Sequence, residues 1–159
     1  MPAVKTVLLI CTGNSCRSVM AAGLLRELLK DKGAYKITTA GTASFKGMPP
    51  TEQAIHVMSE QGIDISGHRS SPLSNAAIEE ADLILVMEKR HKEIILARAP
   101  SAKGKVHLLT EFGRAEKEDK LVAPDIPDPI GKPLEFYRKA FDIIKESITR
   151  TAKKLEEAK

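Results

Sequence analysis

The 159-residue chain is poor in the side chains that form covalent cross-links or stack on nucleic-acid bases. It has two cysteines, no tryptophan and only 4% aromatic residues. Two cysteines cannot build the disulfide framework of a small secreted protein, and so few rings supply a base-stacking surface poorly. We therefore expect no nucleic-acid partner, and we interpret the formal net charge of +4 as a basic surface that mildly attracts anions.

Long apolar runs are also missing. The N-terminal segment MPAVKTVLLIC contains an apolar stretch that is too short for the core of a signal peptide or for a bilayer span. We therefore expect no membrane association and a cytoplasmic location. The composition, 42% apolar and 29% charged, is that of a globular protein, and the length suits one domain over residues 1–159, which we expect to be a monomer.

Short apolar runs alternate with helical patterns along the chain. Strands are predicted at 4–10, 36–40, 81–87 and 105–109, and helices at 18–32, 51–62, 88–100 and 133–157. This order predicts an α/β fold, a single doubly wound domain with a four-stranded parallel sheet in the order 2-1-3-4 and helices on both faces. Ligands of such sheets bind beyond the carboxyl ends of the strands, where the strand order reverses, and the loop after the first strand lies there.

That loop, CTGNSCRS at residues 11–18, contains both cysteines. A loop that leads from a buried strand into a helix directs unpaired backbone N–H groups and the helix dipole towards one point, which favours an anion. Gly13 and Asn14 tolerate left-handed backbone angles, and Arg17 offers a planar fork for two phosphate oxygens. Cys11 should be a thiolate beneath the bound phosphate, so the pattern indicates nucleophilic phosphoryl transfer.

Other interpretations of the loop are weaker or stay open. It lacks the glycine and lysine pattern of nucleotide-binding loops. A zinc site would need two further ligands, and the four histidines lie in different predicted elements without ligand spacing, so we expect no metal and no cofactor. Cys16 is either a small buried residue or a resolving thiol that forms a reversible disulfide with Cys11. A phosphate-binding or redox-sensing module without turnover is the non-enzymatic alternative.

Phosphoryl transfer from a poor leaving group also requires a proton donor opposite the anion site. Asp125 and Asp128 both lie in the proline-rich segment PDIPDPIG. Each could equally stabilise a turn. The residues alone do not choose between them.

At these positions the chain resembles the low-molecular-weight protein-tyrosine phosphatases. Their loop, C-x5-R-S of the form C-x-G-N-x-C-R-S, is matched at Cys11, Gly13, Asn14, Cys16, Arg17 and Ser18, and their second motif, Asp-Pro before a long helix, is matched at Asp128 and Pro129. The resemblance covers essentially the whole chain. It implies that Cys11 is the nucleophile, Arg17 the phosphate clamp and Asp128 the general acid.

The resemblance implies further roles around these three residues. It assigns phosphate or substrate binding to the rest of the loop, namely Thr12, Gly13, Asn14, Ser15, Cys16 and Ser18. The Ser18 hydroxyl would hydrogen-bond the thiolate, Thr39 and His68 would support the strained turn at Asn14, and Cys11 and Cys16 would form a redox pair. The substrate would be a phosphorylated protein and the product inorganic phosphate.

The chain departs from the family pattern where the substrate side chain would bind. Many members carry aromatic residues after the Asp-Pro pair, where this chain has Ile130 and Gly131. Ser15 replaces a residue that is often apolar, and resembles the threonine of the protein-arginine phosphatase branch. We expect phosphotyrosine as the substrate, with phosphoarginine as the alternative. Arsenate reduction of the thioredoxin-coupled type would require two more cysteines near 80–95, where the chain has none.

Overall fold

The structure, a computed structural model, describes residues 4–114 and 124–158. Its four parallel strands are β1 (Thr6–Cys11), β2 (Lys36–Gly41), β3 (Leu83–Val86) and β4 (Val106–Leu108), in the order β2-β1-β3-β4. The predicted fold class and strand order are confirmed. The predicted strands at 81–87 and 105–109 extend one or two residues too far at each end, because their apolar runs continue into the adjoining turns.

The helices are α1 (Arg17–Leu29), α2 (Glu52–Glu60), α3 (Asn75–Glu80), α4 (Lys89–Arg98) and α5 (Leu134–Glu157), with a 3-10 helix at Pro100–Lys105. Four of the five α-helices match predicted helices, whereas α3 was not predicted. It is six residues long and buries only Ile78, so it has too few turns to show an apolar period. Within the described residues, no helix combines the length and apolar character needed to cross a bilayer.

Helices cover both faces of the sheet, as predicted, because the central strand β1 is apolar on both. Val7 and Leu9 pack in a cluster with residues of α1, α2 and α5. Leu8 and Ile10 point to the opposite face and pack with residues of α3 and α4. Alternation of side chains along a strand produces this division.

The strand pairing sets which loops meet at the carboxyl edge. Cys11 lies beside Gly41 and Ile10 beside Val86, so the segments after β1, β2 and β3 converge. A side chain at position 41 would put its Cβ 2.6 Å from the carbonyl oxygen of Thr12. Only glycine therefore lets the segment after β2 lie directly against the loop after β1.

Candidate active site

The loop after β1 is shaped by Asn14. It is the only non-glycine residue with a positive φ (53°) in the described part of the chain, and its side chain is fully buried. Its Oδ1 accepts a hydrogen bond from the Ser71 backbone N–H (2.8 Å), and its Nδ2 donates to Ser18 Oγ (2.9 Å). These bonds hold a left-handed turn that would otherwise be unfavourable for a residue with a Cβ.

His68 contacts the same turn from outside. Burial lowers the pKa of His68, so its ring is neutral at pH 7. Its Nε2 lies 2.9 Å from the Asn14 carbonyl oxygen, and since that oxygen can only accept, Nε2 carries the proton and donates. The structure thus places His68 against Asn14, the residue that the family resemblance implies it supports.

Thr39, the other expected support, is not part of this network. It lies on β2 opposite Leu9, two residues before the level of Cys11. Among the described residues it forms no hydrogen bond with the loop. The expectation for Thr39 is therefore corrected, because the strand register keeps it short of the turn and the Ser71 amide bonds the Asn14 side chain instead.

Cys11 is the last residue of β1, and its sulfur lies 3.0 Å from Ser18 Oγ. The Ser18 oxygen already accepts the amide hydrogen of Asn14. Its own hydroxyl proton is consequently free to be donated to Cys11 Sγ. Cys11 is also buried at the N-terminal end of α1, where the helix dipole favours negative charge.

Arg17 opens α1 and is almost fully buried, with 1% of its surface exposed. Its Nη1 donates to Glu88 Oε2 and to the Ile126 carbonyl oxygen, both at 2.7 Å. Its Nε is buried and has no hydrogen-bond partner among the described residues. Because an unsatisfied buried N–H is unfavourable, the Nε and Nη2 edge is suited to an anion with two oxygens.

Glu88, which sequence analysis missed, neutralises the guanidinium groups at this edge. Burial opposes its charge, but hydrogen bonds from Arg90 and Arg17 outweigh that effect and keep its pKa below the usual range. The available signal was its position, because it follows β3 almost directly, beside the point where the strand order reverses.

Thr12 is held by His91 and Arg90. Burial, with the nearby charge of Arg17, lowers the pKa of His91 to about 4, so the ring is neutral. The His91 Nδ1 accepts the Glu88 backbone N–H (3.1 Å), which leaves the proton on Nε2 for donation to Thr12 Oγ1 (2.9 Å). Arg90 Nη2 also donates to that oxygen (2.7 Å). The Thr12 hydroxyl therefore has its own proton left to donate.

The structure separates the two candidate acids. Asp128 Oδ2 lies 3.4 Å from Arg17 Nη2, so this carboxyl group faces the anion-binding edge. Asp125 Oδ1 instead accepts the Lys89 backbone N–H at the start of α4 (2.8 Å). Each carboxyl group thus accepts one backbone N–H, since Asp128 Oδ1 accepts that of Ile130 (3.1 Å). Only Asp128 has its second oxygen beside Arg17, where a phosphate ester would bind.

Cys16 immediately precedes α1 and is buried. Burial, with the negative charges of Cys11 and Asp128, raises its pKa to about 12, so it is a thiol at neutral pH. Its S–H donates to Asp128 Oδ1 over 3.8 Å. Both cysteines are free, and the redox pairing of Cys11 with Cys16 stays a prediction.

Sequence analysis also missed Phe45, on the segment after β2. That segment is tied to the loop after β1, because Thr42 N donates to the Cys11 carbonyl oxygen and Ala43 N to that of Thr12, both at 3.0 Å. The Phe45 side chain is 82% exposed, an unusual state for a large ring. An isolated phenylalanine carries no periodic signal, and only the fold shows that it follows by two residues an amide, Ala43 N–H, that bonds the loop after β1.

Comparisons with known proteins agree with this geometry. The model of the family described as low molecular weight phosphotyrosine protein phosphatase matches residues 6–159. The phosphatase Wzb of Escherichia coli K12 is 33% identical over 151 residues, which is 95% of each chain. Among solved structures, the YwlE arginine phosphatase of Geobacillus stearothermophilus has a TM-score of 0.85 at 38% identity, with 96% of this chain and 94% of that chain covered.

A second structure, the tyrosine phosphatase Wzb from Escherichia coli K30 in complex with sulphate, has a TM-score of 0.84 at 34% identity and covers 96% of this chain and 99% of that one. A relative named as an arginine phosphatase and one named as a tyrosine phosphatase therefore both match nearly the full length of this chain. Together with the family model, they show that the chain belongs to the low molecular weight phosphotyrosine protein phosphatase family.

Proposed function

We propose that the protein hydrolyses phosphotyrosine in phosphorylated proteins through a cysteinyl-phosphate intermediate. The observation that carries this proposal is the convergence of Cys11, Arg17 with its unpaired Nε, and Asp128 at one end of the sheet. No other described group of side chains combines a nucleophile, an anion clamp and a proton donor in this way.

In the first step the Cys11 thiolate attacks phosphorus and the bond from phosphorus to the phenolic oxygen breaks. Asp128, protonated at the start, gives its proton to that oxygen, so the tyrosine leaves neutral. The backbone N–H groups of the loop and the Nε and Nη2 edge of Arg17 stabilise the charge on the three equatorial oxygens. The Ser18 hydroxyl, 3.0 Å from the sulfur, stabilises the thiolate before attack.

In the second step water attacks the phosphorus of the cysteinyl phosphate. The Asp128 carboxylate takes a proton from that water, the S–P bond breaks, and inorganic phosphate leaves. The Ser18 hydroxyl again stabilises the departing thiolate. The enzyme returns to its starting state, with Cys11 ionised and Asp128 protonated.

Phe45 supports tyrosine as the side chain that bears the phosphate. An exposed ring on the segment bound to Cys11 and Thr12 offers an apolar wall for a phenol.

Protein-arginine phosphatase activity is the second candidate, and Ser15 is the observation that favours it. Its side chain lies next to Gly13 on the loop, where a hydroxyl can orient a guanidinium group or a water. A relative named protein-arginine-phosphatase, from Geobacillus stearothermophilus, is 38% identical over 150 residues.

We further propose that residues 1–159 act as a single domain, as a cytoplasmic monomer, without a metal, a cofactor, a membrane or a nucleic acid as partner. The thiolate mechanism supports the cytoplasmic location and the absence of a metal, since it requires reduced cysteine and no Lewis acid. The single sheet that positions every site residue supports the single domain.

The test compares kcat/KM on one peptide sequence that carries either phosphotyrosine or phosphoarginine. We expect at least a tenfold preference for phosphotyrosine in the reduced wild-type protein. Cys11→Ser should abolish turnover of both peptides and of para-nitrophenyl phosphate while the variant still binds vanadate. A tenfold preference for phosphoarginine would replace the first candidate by the second, and absence of all hydrolysis would favour a binding module.

A further inference from the structure

A small apolar pocket adjoins the candidate acid on the side facing α5. It has a volume of about 260 Å³, and its apolar walls are Pro127, Pro129, Phe136 and Ile143. We call it the α5 pocket. Phe136 and Ile143 lie seven residues apart on one face of the helix and stay 37% and 38% exposed. Large apolar side chains that line an open concave surface are typical of an interaction site.

Two lysines border the α5 pocket. Lys132 Nζ lies 4.9 Å and Lys139 Nζ 5.4 Å from the centroid of the Phe136 ring. Neither lysine forms an ion pair with a carboxylate of the described residues. The pocket therefore combines an apolar floor with two unneutralised positive charges at its edge, which is complementary to an apolar side chain with acidic neighbours.

The pocket is continuous with the candidate active site through Asp128. This residue lines the pocket, and its Oδ2 is 3.4 Å from Arg17 Nη2. An extended peptide advances about 3.3 Å per residue. A substrate whose phosphorylated residue lies in the phosphate loop can therefore reach the pocket with a residue about two or three positions away.

We propose that the α5 pocket binds an apolar side chain of the phosphoprotein substrate, close in sequence to the phosphorylated residue, while Lys132 and Lys139 bind acidic residues beside it. This inference rests on the proposed function, because it assigns the same site a sequence preference. The phosphate loop then recognises the phosphoryl group, and the α5 pocket selects among phosphorylated segments.

The experiment measures kcat and KM on a phosphotyrosine peptide with one leucine and two glutamates within three positions of the phosphotyrosine. Companion peptides replace the leucine by serine or the glutamates by glutamine, and para-nitrophenyl phosphate serves as a substrate too small to reach the pocket. The enzymes are wild type, the double variant Lys132→Glu/Lys139→Glu, Ile143→Ser, and Lys153→Glu as a charge-reversal control at the exposed far end of α5.

We expect the double variant to raise KM for the parent peptide about five- to tenfold and to become insensitive to the glutamate-to-glutamine change. Ile143→Ser should raise KM about threefold and remove most of the difference between the leucine and serine peptides. Both should hydrolyse para-nitrophenyl phosphate within twofold of wild type, and Lys153→Glu should match wild type on every substrate.

Equal KM values for all peptides, or equal losses on para-nitrophenyl phosphate, would overturn the inference. Failure of the proposed function has a different signature, since wild type would then hydrolyse para-nitrophenyl phosphate but none of the phosphotyrosine peptides. In that case the same series with phosphoarginine at the central position tests the α5 pocket.

Discussion

The phosphate loop and the surface around it are built in opposite ways. In the loop, the polar side chains of Asn14, Arg17 and Ser18 are buried. Asn14 is fixed there by bonds to Ser18, Ser71 and His68. Around it, Phe45, Ile130 and the α5 pocket expose apolar side chains to solvent. The difference indicates that the chemistry depends on fixed geometry, whereas substrate choice depends on side chains that contribute little to stability.

The largest effect is expected when the two carboxyl groups of the proline-rich segment are removed one at a time, because only one of them should matter for kcat. Asp128→Asn removes the proton donor and should lower kcat on phosphotyrosine by about 10²- to 10⁴-fold. Asp125→Asn should leave kcat within about threefold and lower the free energy of unfolding by about 0.3–1 kcal/mol, because a charge is lost beside the first amides of α4. Steady-state kinetics and urea unfolding measure both effects, and equal kcat losses would contradict the assignment of Asp128.

The second prediction concerns the buried hydrogen bonds of the phosphate loop. Asn14→Ala loses two hydrogen bonds and keeps a Cβ at φ 53°, so it should destabilise the protein by about 2–4 kcal/mol. It should also lower kcat/KM at least tenfold, because Ser18 loses the bond that orients its hydroxyl towards Cys11.

Asn14→Gly is the matched variant, since it loses the same bonds without the backbone strain. It should be more stable than Asn14→Ala by about 1–2 kcal/mol in urea unfolding. Equal stability of the two variants would show that strain at residue 14 is unimportant. Full activity in both would refute the role of Asn14 in orienting Ser18.

The smallest effect is expected for the exposed apolar surface around the phosphate loop. Phe45→Ser removes the apolar wall and should lower kcat/KM for a phosphotyrosine peptide about five- to tenfold, with a smaller loss for the phosphoarginine peptide. Stability should change by less than about 0.5 kcal/mol, because the ring is exposed. Ile94→Ser, at a half-exposed position on α4, is the control, and an equal loss in both variants would remove Phe45 from substrate recognition.

Local patterns were sufficient to predict the α/β order, the sheet and the phosphate loop. Each of the four strands is a short apolar run, and the long helix α5 has a clear apolar period, so both signals are visible in one window of sequence. The six-residue α3 has no such period and was missed. Glu88 and Phe45 were missed because a single acidic or aromatic residue is informative only when its neighbours in space are known.

The sequence by itself determined that Cys11, Asn14, Arg17 and Ser18 lie close together, because all four fall within the eight residues 11–18 that lead from the first strand into the first helix. Only the tertiary structure decided that Asp128 and not Asp125 faces Arg17, that His68 and not Thr39 supports Asn14, and that Glu88 anchors the guanidinium. The physical reason is range: hydrogen bonds act over about 3 Å, and these partners are separated by 54 to 111 positions of chain that only strand register and helix packing bring together.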